Sequence, residues 1–356
     1  MKKSIYMIAF AALALASCAK DNTKEVNRGR AIDFRVATTR ATETTTDNLN
    51  EIWVTAIGEN GTNHFTKAGF SKEGSYFVSP TAYYWPSDGT SLQFYAYSPA
   101  ETVLGGTISI DSQAQTLTGF SPAAEIKNQI DFVAAAATGS KANADTGVEL
   151  IFDHALTQIE VTALSSNTGY KHLVKGVRIG KFASKGDFNF YDKSWTLGTE
   201  KSNYEITYDL PIELNAESQS LMDSNVAGQQ INRNAMIIPQ NLTPWDVEND
   251  KTNTLEGAYI AVKVNITTAD GAIVFPSTAG EYEWVAFPID TELIRGFKYT
   301  YKLDFSNGSG YVDPEKPVDP TDPTNPTNPG EQVLGGKILF THEIHGWNSS
   351  STDIEM

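Results

Sequence analysis

The chain has 356 residues, of which 40% are apolar and 11% aromatic, which is enough for two or three domains with buried cores. Its 43 acidic and 27 basic residues give a formal charge of −16, which would repel a phosphate backbone and excludes nucleic acid as a partner. A single cysteine and five histidines provide neither a disulfide framework nor a thiolate cage for a metal. The composition therefore predicts a folded, acidic protein without a metal centre.

The first 17 residues have the pattern of an export signal. Two lysines precede an apolar run from Ile5 to Ala16, which is too short to remain as a membrane-spanning helix. The run ends in Leu-Ala-Ser-Cys18, which resembles the lipobox of bacterial lipoproteins, where the chain is cut before a lipid-modified cysteine. We therefore expect residues 1–17 to be removed and Cys18 to carry lipid. An ordinary signal peptide whose last residue happens to be this cysteine is the alternative.

A strand followed by an exposed loop is predicted next. Residues Ala31 to Ala37 read as a strand, and a polar, threonine-rich stretch runs from there to Asn48. This stretch contains one arginine, Arg40, and an exposed loop with a single arginine is a natural site for a trypsin-like protease. Cleavage between Arg40 and Ala41 would separate the cysteine and this first strand from the rest of the chain.

Alternation with a period of two dominates the body of the chain. The clearest case is Phe297–Phe305, in which aromatic and apolar residues share one face and polar residues the other. Many short strands separated by turn residues, without a sustained helical stripe, are typical of antiparallel sandwiches. We therefore predict an all-β fold with two antiparallel β-sandwich domains in tandem, residues 41–198 and 199–313. The other predicted strands are Gln158–Ala163, Tyr259–Ile266, Ile52–Ile57, Leu92–Tyr97, Gln129–Val133, Val174–Phe182, Ala235–Ile238 and Trp284–Phe287.

A proline-rich segment separates the last strand from the body. Proline stands at every third position from Pro314 to Pro329, which is the period of a polyproline II helix, and a straight helix of this length would be a semi-rigid spacer of roughly 50 Å. We assign residues 314–330 to this spacer. Residues 331–356 are too few to form a core but contain a strand-like run from Lys337 to His345. That run must pair either in its own domain, since the spacer can loop back, or in a neighbouring molecule.

Catalytic and metal-binding motifs are not predicted. His342-Glu-Ile-His345 has the wrong spacing for the two histidines of a zinc-binding helix, and residues three apart in a strand point to opposite faces. Asp153 and His154 are strand neighbours that also face opposite sides, and no Gly-x-Ser-x-Gly turn supplies a nucleophile. The sequence has no phosphate-binding glycine loop either. We therefore predict neither enzyme activity nor a cofactor, and His154 is expected to be a packed residue.

The combination of motifs resembles the fimbrillin family, the type V pilus subunits and related tip proteins of Bacteroidota. This resemblance implies two transthyretin-like β-sandwich domains, export to the outer membrane as a lipoprotein, and cleavage after an arginine that follows the first strand. It also implies a fimbrium built by donor-strand exchange. The motifs that carry it are the lipobox, Thr39-Arg40-Ala41, Phe152–Val161, Ile238-Pro-Gln240, Gly296–Leu303 and Trp347.

By position, the resemblance implies Cys18 as the lipid site, Arg40–Ala41 as the scissile bond and residues 18–40 as a propeptide. Residues Val333–Trp347 would be the donor strand. The implied partners are other fimbrial subunits, outer-membrane lipid, an arginine-specific protease, and a host or bacterial surface ligand. The residues of the donor strand that would fill the pockets are Ile338, Phe340, His342 and Ile344.

A second function is compatible with the same sequence. Aromatic residues beside turns can stack on sugar rings, and the six tryptophans and the run Tyr83-Tyr84-Trp85-Pro86 could provide such rings. The alternative is therefore a surface lipoprotein that binds glycans through exposed aromatics and does not polymerise. Such a protein would keep its lipid anchor and would gain nothing from cleavage after Arg40.

Overall fold

The computed structural model of the chain describes residues 31–38, 48–226, 229–232, 234–318, 328–335 and 339–346. Almost every regular element is a β-strand, and most strands pair in antiparallel fashion. The prediction of an all-β fold with antiparallel sheets is therefore confirmed. Within the ranges given above, no helix is long and apolar enough to cross a membrane.

The first unit is a seven-stranded closed barrel. Short helical turns at Glu101–Leu104, Ile126–Asn128 and Lys141–Asn143 connect some of its strands. The strands in this part of the chain are β1 (Phe34–Thr38), β2 (Glu51–Gly58), β3 (Asn63–Glu73), β4 (Tyr76–Val78), β5 (Leu92–Ser98), β6 (Thr107–Ile110), β7 (Gln115–Phe120), β8 (Val133–Gly139) and β9 (Val148–His154). The barrel order is β1-β4-β3-β2-β5-β8-β9, so β1 closes it by lying between β4 and β9.

The strands after β9 build the two sheets of a sandwich and contribute to three smaller sheets. They are β10 (Thr157–Leu164), β11 (Tyr170–Ala183), β12 (Gly186–Asn189), β13 (Trp195–Leu197), β14 (Lys201–Glu213), β15 (Gln219–Ser220), β16 (Asp223–Val226), β17 (Gln229–Asn232), β18 (Ala235–Ile237), β19 (Gln240–Asn241), β20 (Tyr259–Thr268), β21 (Ile273–Phe275), β22 (Glu283–Pro288), β23 (Glu292–Leu293), β24 (Phe297–Asp304), β25 (Tyr311–Val312) and β26 (Leu339–Gly346). One sheet has the order β15-β10-β24-β26 with β18 on β10, and the other has the order β14-β11-β20-β22-β25 with β21 on β20. Apolar side chains of both sheets share one core, which defines the second unit.

A small sheet covers the outside of the barrel. Its order is β13-β12-β7-β6, so it combines two strands that precede the second unit in sequence with two that follow β11. Phe188 of β12 and Phe190, just after this strand, pack with Tyr97 and Phe132 in a separate core. The barrel strands therefore pack around one core inside the barrel, and part of their outer face packs against a second core.

The division between the two units does not follow the predicted boundary at residues 198 and 199. β10 pairs in parallel with β24, and β11 pairs with β20, so both strands belong to the second unit. The change of unit lies near residue 155, and the chain returns to the first unit only for β12 and β13. The sequence did not reveal this, because a strand has the same two-residue period whichever sheet it joins.

The strand predictions hold where alternation is longest and fail at one connection. The run predicted at Phe297–Phe305 is β24, with the aromatic face of the strand buried. The run predicted at Gln129–Val133 is wrong for its first four residues, since β8 begins only at Val133. Gln129 is used differently: its Nε2 donates to Ala123 O at 3.0 Å, and its Oε1 accepts from Met236 N at 2.7 Å.

The proline-rich segment leaves and re-enters the second unit at the same place. Val312 N donates to Glu331 O at 2.8 Å, and Gly330 N donates to Val312 O at 3.0 Å. Both ends of the segment are therefore side by side, which differs from a straight spacer that carries the last strand away from its domain. Residues 319–327 of the segment lie outside the described residues.

One buried histidine makes the second unit sensitive to acid. His172 on β11 is 1% exposed, its Nε2 lies 3.2 Å from Ser309 Oγ, and its ring packs near Phe305. Burial lowers the pKa of His172 from 6.5 to about 4. His172 therefore binds a proton less readily in the folded state than in the unfolded state. The neutral form of His172 contributes stability that is fully present above pH 6.5 and is lost as the pH falls toward 4.

We expect His172→Gln to remove this part of the acid sensitivity. Between pH 7 and pH 4, the fall in the free energy of unfolding should be about 3 kcal/mol smaller in the variant than in the parent. Urea denaturation at the two pH values measures it. His64 is exposed, and His64→Gln is the matched control that should keep the parental loss. Equal losses in the two variants would contradict the assignment to His172.

Candidate functional site

β1 is held on both sides by strands of the barrel. It pairs in parallel with β9, beginning with Phe34 opposite Val148, and in antiparallel fashion with β4. Just before it, Ile32 N donates to Tyr83 O at 2.7 Å. After β1 the chain continues through residues 39–47 before it reaches β2.

The side chains of this segment fill the centre of the barrel. Ile32 is 1% exposed and Phe34 is fully buried. The ring of Phe34 meets those of Phe70 at 4.9 Å and Phe94 at 5.2 Å between centroids, both edge to face. Burial of each apolar side chain of this size stabilises the fold by about 1.5–3 kcal/mol. Loss of residues 31–38 would leave an apolar slot between two unpaired strand edges, those of β4 and β9.

The predicted processing residues lie on either side of β1 in the sequence. Arg40 and Ala41 lie outside the described residues, between the end of β1 at Thr38 and Asn48. Cys18 also lies outside them. A cut at the predicted bond would sever the link between β1 and β2. β1 would then be held in the barrel by strand pairing and side-chain packing alone.

β26 forms the edge of its sheet and pairs with β24 of the same chain. The pairing is antiparallel and runs the whole length of β26, from Leu339 opposite Asp304 to Gly346 opposite Phe297. Among the strands that the structure describes, none pairs with the other side of β26. Of the two pairings that the sequence leaves open, the single chain adopts the one within its own domain.

Two of the residues predicted to fill pockets, His342 and Ile344, lie on the same face of β26. Ile344 stands opposite the buried Tyr299 and packs on the core of the second unit. The ring of His342 lies 6.2 Å from that of a buried tyrosine on β24. Phe340 stands opposite Leu303 in the register. Ile338 lies outside the described residues.

The chain before β26 is anchored to the second unit. Val333 is 6% exposed, and its N donates to Gly310 O at 3.0 Å. Upstream, Nη1 of the buried Arg178 donates to Asp313 Oδ2 at 2.6 Å, and the guanidinium lies 4.4 Å from the ring centroid of Trp284. Burial raises the pKa of Asp313, and the guanidinium opposes this effect. Residues beyond Val333 can therefore move away without breaking these contacts.

His154 is paired with a carboxylate that the sequence analysis missed. It is 1% exposed, and its Nδ1 lies 3.0 Å from Oδ1 and 2.9 Å from Oδ2 of Asp131. Its sequence neighbour Asp153 pairs instead with Lys193. Within the described ranges, no cluster of three or more metal-binding side chains occurs. No spacing rule links residues 131 and 154, because the barrel alone brings them together.

The aromatic run considered for glycan binding is mainly structural. Tyr83 and Trp85 pack against the barrel core, and the rings of Tyr83 and Phe65 are 4.4 Å apart between centroids. Of the three residues in the run, Tyr84 presents its ring to solvent, with 57% of the residue exposed. The run therefore offers one accessible ring rather than a platform of three.

A family model described as fimbrillin-like matches residues 39–318. The chain belongs to the fimbrillin-like family. The resemblance drawn from the lipobox, the arginine junction and the strand motifs is thus confirmed at the level of the family. A comparison with curated proteins found no match.

Two solved structures have the same fold as this fimbrillin-like chain. A fimbrial protein from Bacteroides vulgatus has a TM-score of 0.56 and 15% sequence identity, with 89% of this chain and 99% of that chain covered. A candidate cell adhesion protein from Bacteroides uniformis has a TM-score of 0.50 and 15% identity, with 90% and 99% covered. At this level of identity the similarity establishes the fold alone.

The packing of β1 in the fimbrillin-like barrel predicts a large effect at one position. We expect Phe34→Ala to lower the free energy of unfolding by about 3–5 kcal/mol, because it empties the centre of the core. Arg35→Ala, at the exposed neighbouring position, should change it by no more than about 0.5 kcal/mol. Urea denaturation of the uncut chain measures both, and similar losses would mean that Phe34 does not hold β1 in place.

Proposed function

We propose that the chain is a structural subunit of a cell-surface fimbria that supports adhesion and assembles by strand exchange after proteolysis. The observation that carries this proposal is β1. Its residue Phe34 is buried at the centre of the barrel, yet the connection from β1 to the rest of the barrel contains Arg40. Membership of the fimbrillin-like family and the fold shared with the Bacteroides vulgatus fimbrial protein support it.

Processing is the first stage of the proposed pathway. The chain is exported as a lipoprotein, residues 1–17 are removed, and acylated Cys18 holds it in the outer membrane. An arginine-specific protease then cuts between Arg40 and Ala41, and residues 18–40 leave with β1. The motifs around these residues in the sequence support this stage.

Exchange of strands is the second stage. Departure of β1 exposes the edges of β4 and β9 and the apolar slot between them. A strand from a neighbouring subunit restores the main-chain hydrogen bonds and fills the slot with alternate side chains. The proposed donor is the C-terminal strand, with Ile338, Phe340, His342 and Ile344 on its inserting face. Its position at a sheet edge, beyond the anchor at Val333, supports this role.

A lipoprotein that stays anchored and binds glycans without polymerising is less well supported. One support for that function was an exposed surface of Tyr83, Tyr84 and Trp85, and two of these side chains pack on the barrel core. The same packing has a simple role in a fimbrial subunit, where it keeps the barrel stable while β1 is replaced.

A disulfide between β1 and β9 should prevent assembly. Arg35 and Glu149 are exposed and stand directly opposite each other, in adjacent strands whose spacing suits a disulfide. In Arg35→Cys with Glu149→Cys, the protease should still cut the chain, but β1 should stay in the slot until a reductant is added. Fibres counted by electron microscopy before and after reduction give the readout.

The two single-cysteine variants are the controls for this lock and should assemble like the parent. If the oxidised double variant formed fibres as readily as its reduced form, departure of β1 would not be required.

A second disulfide tests the donor strand separately. Lys302 and Thr341 stand opposite each other on β24 and β26, on the face away from the core. Oxidised Lys302→Cys with Thr341→Cys should accept a neighbour's strand but not donate its own, so that adding it to growing fibres shortens them. Lys302→Cys alone is the matched control, since it also removes the ion pair of Lys302 with Glu343. Fibre lengths equal to those with the control would exclude β26 as the donor.

A further inference from the structure

The C-terminal segment repeats the pattern with which β1 enters the barrel core. Ile32 is 1% exposed and Phe34 is fully buried, so the centre of the barrel receives an isoleucine and, two residues later, a phenylalanine. The C-terminal segment has the same pattern at Ile338-Leu-Phe340. Alternate residues of a strand lie on one face. The two segments therefore can present the same two side chains at the same spacing.

The other Ile-x-Phe triplets of the chain are already in use. One, at residues 8–10, lies in the predicted export signal. Those at 130–132 and 273–275 end in Phe132 and Phe275, which are 0% and 2% exposed in cores of their own chain. The C-terminal triplet, in contrast, leads into a strand at a sheet edge and lies beyond the anchor at Val333. Of these triplets, it is the one that can be donated.

The pocket that holds Phe34 is shaped for a phenylalanine. Its walls include the rings of Phe70 and Phe94, whose centroids lie 4.9 and 5.2 Å from that of Phe34, both edge to face. A donated phenylalanine restores both ring contacts, whereas a smaller side chain would leave a cavity between them. Placing Phe340 in this pocket also brings Ile338 to the second buried position of β1.

His342 decides the direction of the donated strand. If the strand runs in the direction of β1, His342 takes the position of Val36, which is half-buried, so the imidazole can reach water. In the opposite direction it would take the position of Ile32, in the apolar core of the barrel. Burying an imidazole among apolar side chains costs free energy. The favoured direction is therefore that of β1, parallel to β9.

Charge and packing then decide the register. On β9, Glu149 is exposed, and the phenylalanine match places Thr341 directly opposite it. A slip by two residues in one direction would bring Glu343 opposite Glu149, and like charges at opposite positions are destabilising. A slip by two in the other direction would put Ile338 in the phenylalanine pocket. A slip by one would turn the strand over and put polar side chains into the core.

We propose, on the basis of the strand exchange proposed above, that the chain is its own donor, with Phe340 of one copy in the pocket vacated by Phe34 of a second copy. The donated strand runs parallel to β9, and its Thr341 stands opposite Glu149 of that second copy. The five residues from 334 to 338 span at most about 17 Å. The accepting barrel therefore begins within this distance of Val333 of the donor.

A pair of cysteines tests this register in the fibre. Glu149 and Thr341 are exposed, and in the single chain they stand opposite Arg35 and Lys302. The variant Glu149→Cys with Thr341→Cys is expressed by the bacterium in place of the parent, and purified fibres are oxidised. The parent has a single cysteine, Cys18, which leaves with the propeptide, so no other thiol interferes.

The expected result is a ladder of covalent oligomers on a gel without reductant, which collapses to single subunits when reductant is added. Mass spectrometry of the digested ladder should find the peptide that contains position 149 joined to the peptide that contains position 341. The two single-cysteine variants should give no ladder.

Two matched pairs test the neighbouring registers. Glu149→Cys is combined with Leu339→Cys or with Glu343→Cys, which lie two residues before and after Thr341. A shift of two residues moves the Cα atom by about 6.6 Å along the strand, which puts the two cysteines outside the range of a disulfide. Both pairs should therefore cross-link far less than the pair with Thr341→Cys.

Two results would overturn the proposal while leaving strand exchange intact, because the subunits in the fibres would still begin at Ala41. In one, a shifted pair cross-links more than the pair with Thr341→Cys, so the register or the direction differs. In the other, none of the pairs cross-links, so the slot is filled by a strand of a different chain. Fibres whose subunits keep residues 18–40 would instead contradict the proposed function, and this proposal with it.

Discussion

Closure of the barrel by β1 is the constraint on which the first unit depends. In the described chain β1 is the only strand that joins β4 to β9, and its Phe34 touches rings on β3 and β5 at the centre of the core. A short strand therefore completes the hydrogen-bond ladder on two sides and fills the middle of the barrel. A closed barrel has no free edge, whereas the barrel without β1 has two, so whatever removes β1 converts a self-contained domain into a receptor for another strand.

The slot and the C-terminal strand are linked through paired strands. β9, which flanks β1, leads into β10 through the buried residues Ala155 and Leu156. β10 pairs with β24, which in turn pairs with β26. The contacts of Arg178 and Val333 fix the chain before β26 to the same unit. In the proposed fibre, the accepting slot and the anchor of the donated strand at Val333 are therefore held at a constant separation, and only the residues beyond Val333 need to move.

The sequence predicted local structure well where the signal is local. Alternation identified β24 and β20, and the all-β class followed from many such runs. It failed where tertiary contacts decide: Gln129 looks like a strand residue but bonds to the backbone of Ala123 and Met236, and β10 and β11 join the second unit because of partners 79 to 140 residues away. The pair of Asp131 and His154 has no sequence signal, since strand pairing alone brings the two residues together. The sequence predicted β1 as a strand but not how deeply it is buried, because its burial depends on aromatic rings of two other strands.

The account of this chain as a strand-exchanging fimbrial subunit is tested most directly by the intact mass and N-terminal sequence of subunits recovered from purified surface fibres. The account predicts a chain that begins at Ala41 and carries no lipid, so that β1 has left the barrel. A chain in the fibres that begins only at acylated Cys18 would contradict it, because the slot would then still be filled by its own first strand.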